Sequence, residues 1–139
     1  MIILDTNVLA EALRPAPSPI VLHWLAALDR TSAFTTTITQ AEILYGMESL
    51  PPGKRPTALL AAAEAIFAQE FAGRVLPFDE DAARAYSQIV ATRDAAGRPI
   101  SQFDAMIAAI ARAHHAIVAT RNTSDFHNCG VVLVNPWKD

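Results

Sequence analysis

The chain has a single cysteine, Cys129, so it can form no internal disulfide and assemble no thiolate metal cluster. Its expected place is a small apolar niche in the core. No apolar run reaches the roughly 20 residues that a membrane-spanning helix needs. The opening Met1-Ile2-Ile3-Leu4-Asp5 lacks the basic start and small-residue cleavage site of a secretory leader, so the expected compartment is the cytoplasm. An excess of positive charge is missing too. Eleven Lys and Arg against fourteen Asp and Glu leave a formal net charge of −3, which argues against a broad nucleic-acid-binding face, because phosphate binding leaves a basic footprint. Nearly all the basic residues are Arg, and Arg84, Arg93, Arg98, Arg112 and Arg121 leave room for a small cationic rim around an acidic pocket, although scattered Arg on helices is usually a solvated face. His114, His115 and His127 have no metal-ligand spacing with one another or with the cysteine. There is no internal repeat, and the one linker-like stretch, Leu50 to Pro56, is too short to separate domains.

At 139 residues, 52% hydrophobic and 18% charged, the chain predicts one compact Ala-rich domain spanning 1–139 with a single proper core. Three bulky apolar residues, Ile2-Ile3-Leu4, read as a buried strand that ends at Asp5, and helical spacing begins at Val8. Ser18 and Pro19 open a second helix that runs to about Asp29-Arg30. Ala33 to Thr36 is a short strand, followed by a helix in which Thr37 and Gln40 have capping-box spacing. An Ala-rich helix from Ala58 to about Phe71 stops at Gly73, and Val75 to Phe78 reads as an edge strand, since Pro77 cannot donate to a ladder. Asp79 caps a helix to Gly97, and Ser101 caps the next, from Gln102 to His114 or His115. Strands at Ala116 to Thr120 and Val131 to Val134 complete the chain. About five strands alternating with six or seven helices predict a three-layer α/β sandwich around a short, mostly parallel sheet.

Within that frame four acids fall at strand C-terminal ends or helix N-termini: Asp5, Glu42, Asp104 and Asp125. In open α/β sheets this is the edge where ligands bind. Each also has a bland reading. Asp5 can cap the helix that follows it, unless Thr6 or Asn7 does so. Asp104 lies three residues after Ser101 and Glu42 three after Thr39, both capping-box spacings, and Asp125 can merely end a turn. If the four converge, their mutual repulsion calls for a cation, and hard oxygen donors without thiolate or clustered imidazole select Mg²⁺ or Mn²⁺.

Four blocks carry a resemblance: Ile3-Leu4-Asp5-Thr6-Asn7-Val8, Ile38-Thr39-Gln40-Ala41-Glu42-Ile43-Leu44-Tyr45-Gly46, Asp104-Ala105-Met106-Ile107-Ala108-Ala109 and Ala119-Thr120-Arg121-Asn122-Thr123-Ser124-Asp125-Phe126. In order and over essentially the whole chain, they resemble the signature blocks of PIN-domain ribonucleases, and more narrowly the VapC toxins of bacterial toxin–antitoxin pairs. The ending Val134-Asn135-Pro136-Trp137 and the segment Leu76-Pro77-Phe78-Asp79 are similar to the FitB branch of that group. The resemblance implies a PIN fold and an endoribonuclease dependent on Mg²⁺ or Mn²⁺. It also implies a homodimer, and a cognate antitoxin of the VapB or FitA kind that inserts a segment into the active-site groove. It assigns Asp5, Glu42 and Asp104 to the acidic triad that binds metal and carries catalysis, with Thr6, Asn7 and Thr120 as supporting groups. The fourth acidic position is open between Asn122, which stands where many relatives carry an acid, and Asp125. The apolar faces of the Ile20–Leu28 and Ala58–Phe71 helices are candidate partner surfaces. Three other readings remain: a catalytically weak RNA-binding or interaction module of the same fold, a purely structural small α/β domain, and a haloacid-dehalogenase-type phosphotransferase. The last needs a second Asp where this chain has Asn7.

Overall fold

The structure, a computed structural model, describes residues 1–51, 53 and 57–139. Five strands form one sheet: β1 (Ile2–Leu4), β2 (Ala33–Thr36), β3 (Val75–Leu76), β4 (Ile117–Ala119) and β5 (Val132–Val134). Its order is β3-β2-β1-β4-β5, and every neighbouring pair is parallel. The chain first winds outward from β1 through β2 to the edge strand β3, then crosses back to place β4 on the other flank of β1. This reversal makes the seam between β1 and β4 the topological switch point, with Ile2, Ile3 and Leu4 registered against Ile117, Val118 and Ala119.

Side chains of successive strand residues point to opposite faces, so neighbouring strand residues enter different cores. Ile3 and Val118 join α5 (Glu80–Ala95) and α6 (Gln102–Ala113) on one face. Leu4 and Ala119 join the other face, with α1 (Thr6–Ala12), α2 (Pro19–Ala27), α3 (Thr37–Glu48) and α4 (Thr57–Ala65). The result is the three-layer α/β sandwich expected from the alternation, with the sheet parallel throughout. Ala82 and Ala85 of α5 and Ala105, Ala108, Ala109 and Ala111 of α6 are all buried. Small side chains of this kind let the α5 and α6 backbones approach closely.

Several local expectations change. α1 begins at Thr6, two residues before the apolar spacing, because Asp5 itself is the cap and accepts from the Thr6 amide. α3 is capped by Thr36, whose hydroxyl accepts from the Thr39 amide, which displaces the Thr37–Gln40 box by one residue. Thr39 is therefore the N3 residue and caps nothing. α2 ends at Ala27, short of Asp29-Arg30, and a 3₁₀ turn, Arg30–Ser32, follows. The Ala58–Phe71 helix is α4 continued by a π turn, Ile66–Glu70, and Gly73 closes it at φ 74°. Phe67 in that turn is buried in the core, so it is not part of a partner surface. Ile20 and Leu22 on α2 are exposed. Trp24 is half-buried against the α1–α4 core and Cys129 is buried beneath α6. Most of the Leu50–Pro56 loop lies outside the described residues.

The two cores set a stability expectation. Ile107, fully buried in α6, should cost about 2–5 kcal/mol when replaced by Ala. Urea denaturation would show this as a lowered midpoint with an unchanged slope. A loss below about 1 kcal/mol would mean that α6 is not central to the packing.

Candidate active site

Asp5 follows β1 and Thr120 follows β4, so the switch point brings together residues 115 positions apart. The Asp5 amide donates to the Ala119 carbonyl at 2.9 Å, which extends the ladder by one step. At that step the Thr120 hydroxyl donates to Asp5 Oδ2 at 2.8 Å. The Thr6 amide donates to Oδ1 at 2.8 Å, and Asn7 Nδ2 lies 3.4 Å from Oδ2 and 3.2 Å from Thr120 Oγ1. Asn7 Oδ1 in turn accepts from the Arg121 amide at 3.2 Å. Asp5 is only 4% exposed. Burial pushes its pKa up to about 6, against the pull of the Thr120 and Thr6 hydrogen bonds, and the negative charges of Asp104 and Glu42 add to the rise.

Glu42 lies one turn into α3 and is held from β1's side. Its Oε1 accepts from the Thr6 hydroxyl at 2.8 Å. Since that hydroxyl has one proton and gives it to Glu42, the 3.0 Å contact between Thr6 and Thr39 must be donated by Thr39. Thr39 is fully buried, so a fixed relay runs from α3 through α1 back to the α3 carboxylate. Its cap-like spacing in the sequence concealed this use.

Asp104 sits at the third position of α6, whose N-cap Ser101 accepts from its amide at 3.2 Å. The spacing argument for a cap therefore holds for Ser101, and the Asp104 carboxylate stays available. Burial raises its pKa; Asp125 raises it further, while Ser101 and Arg93 lower it. A small cleft of about 150 Å³, bordered by Arg93, Ser101, Asp104 and Asp125, joins these residues. Asp125 is exposed, in the 3₁₀ turn Thr123–Phe126. Asn122 is exposed as well, and its amide donates to Thr120 Oγ1 at 3.1 Å. Of the two open positions, Asp125 is the one whose charge acts on Asp104.

One residue of this neighbourhood escaped notice as a scattered surface Arg. Arg93 is buried, donating to the carbonyls of Arg98 at 2.6 Å, Asp125 at 2.9 Å and His127 at 2.7 Å. It thereby ties the end of α5 to the segment that carries Asp125. The signal was present: Ala82, Ala85, Ile89 and Arg93 are spaced 3, 4 and 4 along the buried face of α5.

Asp5 thus interacts electrostatically with Glu42 and Asp104, and Asp104 with Asp125. This is a chain of acids at the sheet's C-terminal edge. The family model for the PIN domain matches residues 2–130. The chain belongs to the PIN-domain family. Two curated PIN relatives match it over nearly full length. The VapC ribonuclease Y4jK of Sinorhizobium fredii is 41% identical, covering 99% of each chain. Toxin FitB of Neisseria gonorrhoeae is 42% identical, covering 100% of each. The crystal structure of FitAcB from Neisseria gonorrhoeae superposes with a TM-score of 0.93 at 41% identity, covering 100% of both chains.

The donor set suits a hard divalent cation, with carboxylate oxygens, uncompensated negative charge around Asp5 and threonine hydroxyls that orient the acids. Among the described residues no three Asp, Glu, His or Cys side chains close around one ion.

The raised Asp5 pKa has a defined linkage. Between its unfolded value near 3.8 and its folded value of about 6, the folded state binds the extra proton, so stability falls as pH rises through that window and is flat above it. In EDTA, the stability of the wild type relative to Asp5→Asn should therefore improve by up to about 3 kcal/mol as pH falls from about 8 to about 4. Thermal melts of both proteins across that range check this, and a pH-independent difference would remove the assignment.

Proposed function

We propose that this PIN domain, as a single unit over 1–139, is a metal-dependent endoribonuclease that acts as the toxin of a toxin–antitoxin pair of the VapBC or FitAB kind. The observation that carries the proposal is the buried Asp5 carboxyl at the β1–β4 switch point, oriented by Thr120 and Thr6 and raised by burial and by the facing acids. Near-full-length similarity to a relative named ribonuclease and to one named toxin supports it.

In this reading Asp5, Glu42 and Asp104 hold Mg²⁺ or Mn²⁺, and Asp125 supplies the fourth carboxylate beside Asp104. Asn122 contributes through its backbone bond to Thr120. When bound, the cation lowers the pKa of a water and offsets charge developing on the scissile phosphodiester. The chain's own residues do the positioning. Thr120, Asn7 and the Thr6 amide fix the rotation of the Asp5 carboxylate, and the Thr39–Thr6 relay fixes Glu42. Ionised Asp5 is the form that holds a cation, so metal affinity falls as pH drops through about 6. A cognate antitoxin is the expected partner, and a homodimer the expected toxin assembly. The described residues contain no helix long and apolar enough to cross a membrane, and the proposed compartment is the cytoplasm.

The test is cleavage of a mixed tRNA and ribosomal RNA preparation by antitoxin-free protein with Mg²⁺, Mn²⁺ or EDTA. Discrete fragments should appear with metal, vanish in EDTA and vanish in Asp5→Ala. Thr120→Val, which keeps the carboxylate but removes the hydroxyl that orients it, should lose about 10–100-fold in rate. Undiminished cleavage by Asp5→Ala would refute the site, and RNA binding by the wild type without cleavage would favour the interaction-module reading.

A further inference from the structure

The acids of the site are not held alike. Threonine hydroxyls fix the carboxylates of Asp5 and Glu42, and Asp104 sits in the first turn of α6. Asp125 is exposed, and among the described residues nothing donates to its carboxylate. Where that carboxylate stands is therefore decided by its backbone. The backbone belongs to a single 3₁₀ turn, Thr123–Phe126, whose N-cap makes no side-chain hydrogen bond.

Arg93 grips this turn. It is 6% exposed and borders the cleft of about 150 Å³ that Asp104 and Asp125 also line. Its guanidinium bonds to both walls. On one wall Nε donates to the Arg98 carbonyl at 2.6 Å, while the Arg98 amide donates back to the Arg93 carbonyl at 2.9 Å. This reciprocal pair closes the turn after α5, three residues before Ser101, the cap from which α6 and Asp104 start. On the other wall Nη1 donates to the carbonyls of Asp125 at 2.9 Å and His127 at 2.7 Å. A planar guanidinium keeps its donors at fixed angles, so one side chain sets how the Asp125 turn stands relative to the start of α6.

We infer that Arg93 is a positioning residue that places Asp125 beside Asp104 and thereby sets the affinity of the site for a divalent cation. The inference rests on the metal-dependent reading above and adds to it a residue that acts through backbone carbonyls. Two blander roles compete. Phe126 and Cys129 are buried at the turn and fix its depth, but apolar contacts are non-directional, whereas Nη1 fixes the direction of the Asp125 carbonyl. The other role is electrostatic, since the charge of Arg93 acts on Asp104. The signs differ: a positive charge there repels a metal ion, so its loss alone tightens cation binding, and loss of the grip loosens it.

The experiment titrates Mn²⁺ into antitoxin-free full-length protein without RNA, reading free Mn²⁺ by electron paramagnetic resonance, with thermal melts in EDTA on the same proteins. Arg93→Lys, which keeps the charge but not the fork, should weaken Mn²⁺ binding about ten-fold or more. Asp125→Asn should weaken it as well, and adding Arg93→Lys to Asp125→Asn should cost nothing further, because the grip works through that carboxylate. Wild-type affinity in Arg93→Lys, with only a lowered melting temperature, would reduce Arg93 to a structural role and overturn the inference. Losses that multiply in the double variant would overturn it too. Should Arg93→Lys not fold, Arg93→Gln takes its place: weaker Mn²⁺ binding supports the grip, and tighter binding assigns Arg93 to charge alone. A wild type that binds no Mn²⁺ would overturn the metal reading itself, and the positioning role with it.

Discussion

The structure depends on the confinement of one carboxylate at the seam where the sheet reverses direction. β1 lies between β2, which follows it closely in sequence, and β4, which is more than a hundred residues away. The residue that follows β1 is acidic and almost wholly buried. A buried carboxylate without donors would be untenable, and here the donors come from two separate elements: the first amide and the Asn7 side chain of α1, and the hydroxyl that follows β4. Satisfying Asp5 thus fixes where α1 starts, where β4 stops and how the two are registered. What those donors leave uncompensated is charge, and burial with the facing acids holds the Asp5 carboxyl above its usual range.

Around this centre the other acids are placed by separate scaffolds. Glu42 depends on the α1–α3 hydroxyl relay, which has no charged member. Asp104 depends on a helix start fixed by Ser101, so its carboxylate is spared the work of capping. Asp125 depends on Arg93, which reaches from the end of α5 to the carbonyls of Asp125 itself, within the Thr123–Phe126 turn, and of His127, just after it. The buried guanidinium donates to three carbonyl oxygens and a sulfur, and its charge opposes the rise of the Asp104 pKa. One residue therefore shapes the loop and tempers the field at the adjacent acid.

Much of this was legible in the sequence because the signals are local. Strand and helix alternation, the Ser101 and Asp79 caps and the Gly73 stop each follow from a few adjacent residues and are where they were expected, as is the edge position of the third strand, which is only Val75–Leu76 and stops before Pro77 and Phe78. Thr36 and Thr37 show the limit: both are Thr, and only the strand's end decides which one caps. The π turn after α4 left no mark in an Ala-rich helical pattern. Arg93 was readable by its place on an apolar stripe, but its type argued for solvent and won. The closeness of Asp5 to Thr120, and the reach of Arg93 to Asp125, are long-range facts that spacing along a chain does not encode. The family blocks pointed to the acids without giving the hydrogen bonds that orient them.

The wide sequence separation inside the site has a consequence for how the protein comes into being. During synthesis β1 lacks one of its two neighbours until β4 is made, and Asp5 lacks the Thr120 hydroxyl for the same reason. Pairings between distant segments form late. A partly synthesised chain therefore carries its acids on an unfinished sheet, unoriented and open to water, and truncated products share that state. The orientation of Asp5 therefore arrives only when synthesis has passed β4 and Thr120, so the cell meets an ordered site only in copies that carry that strand.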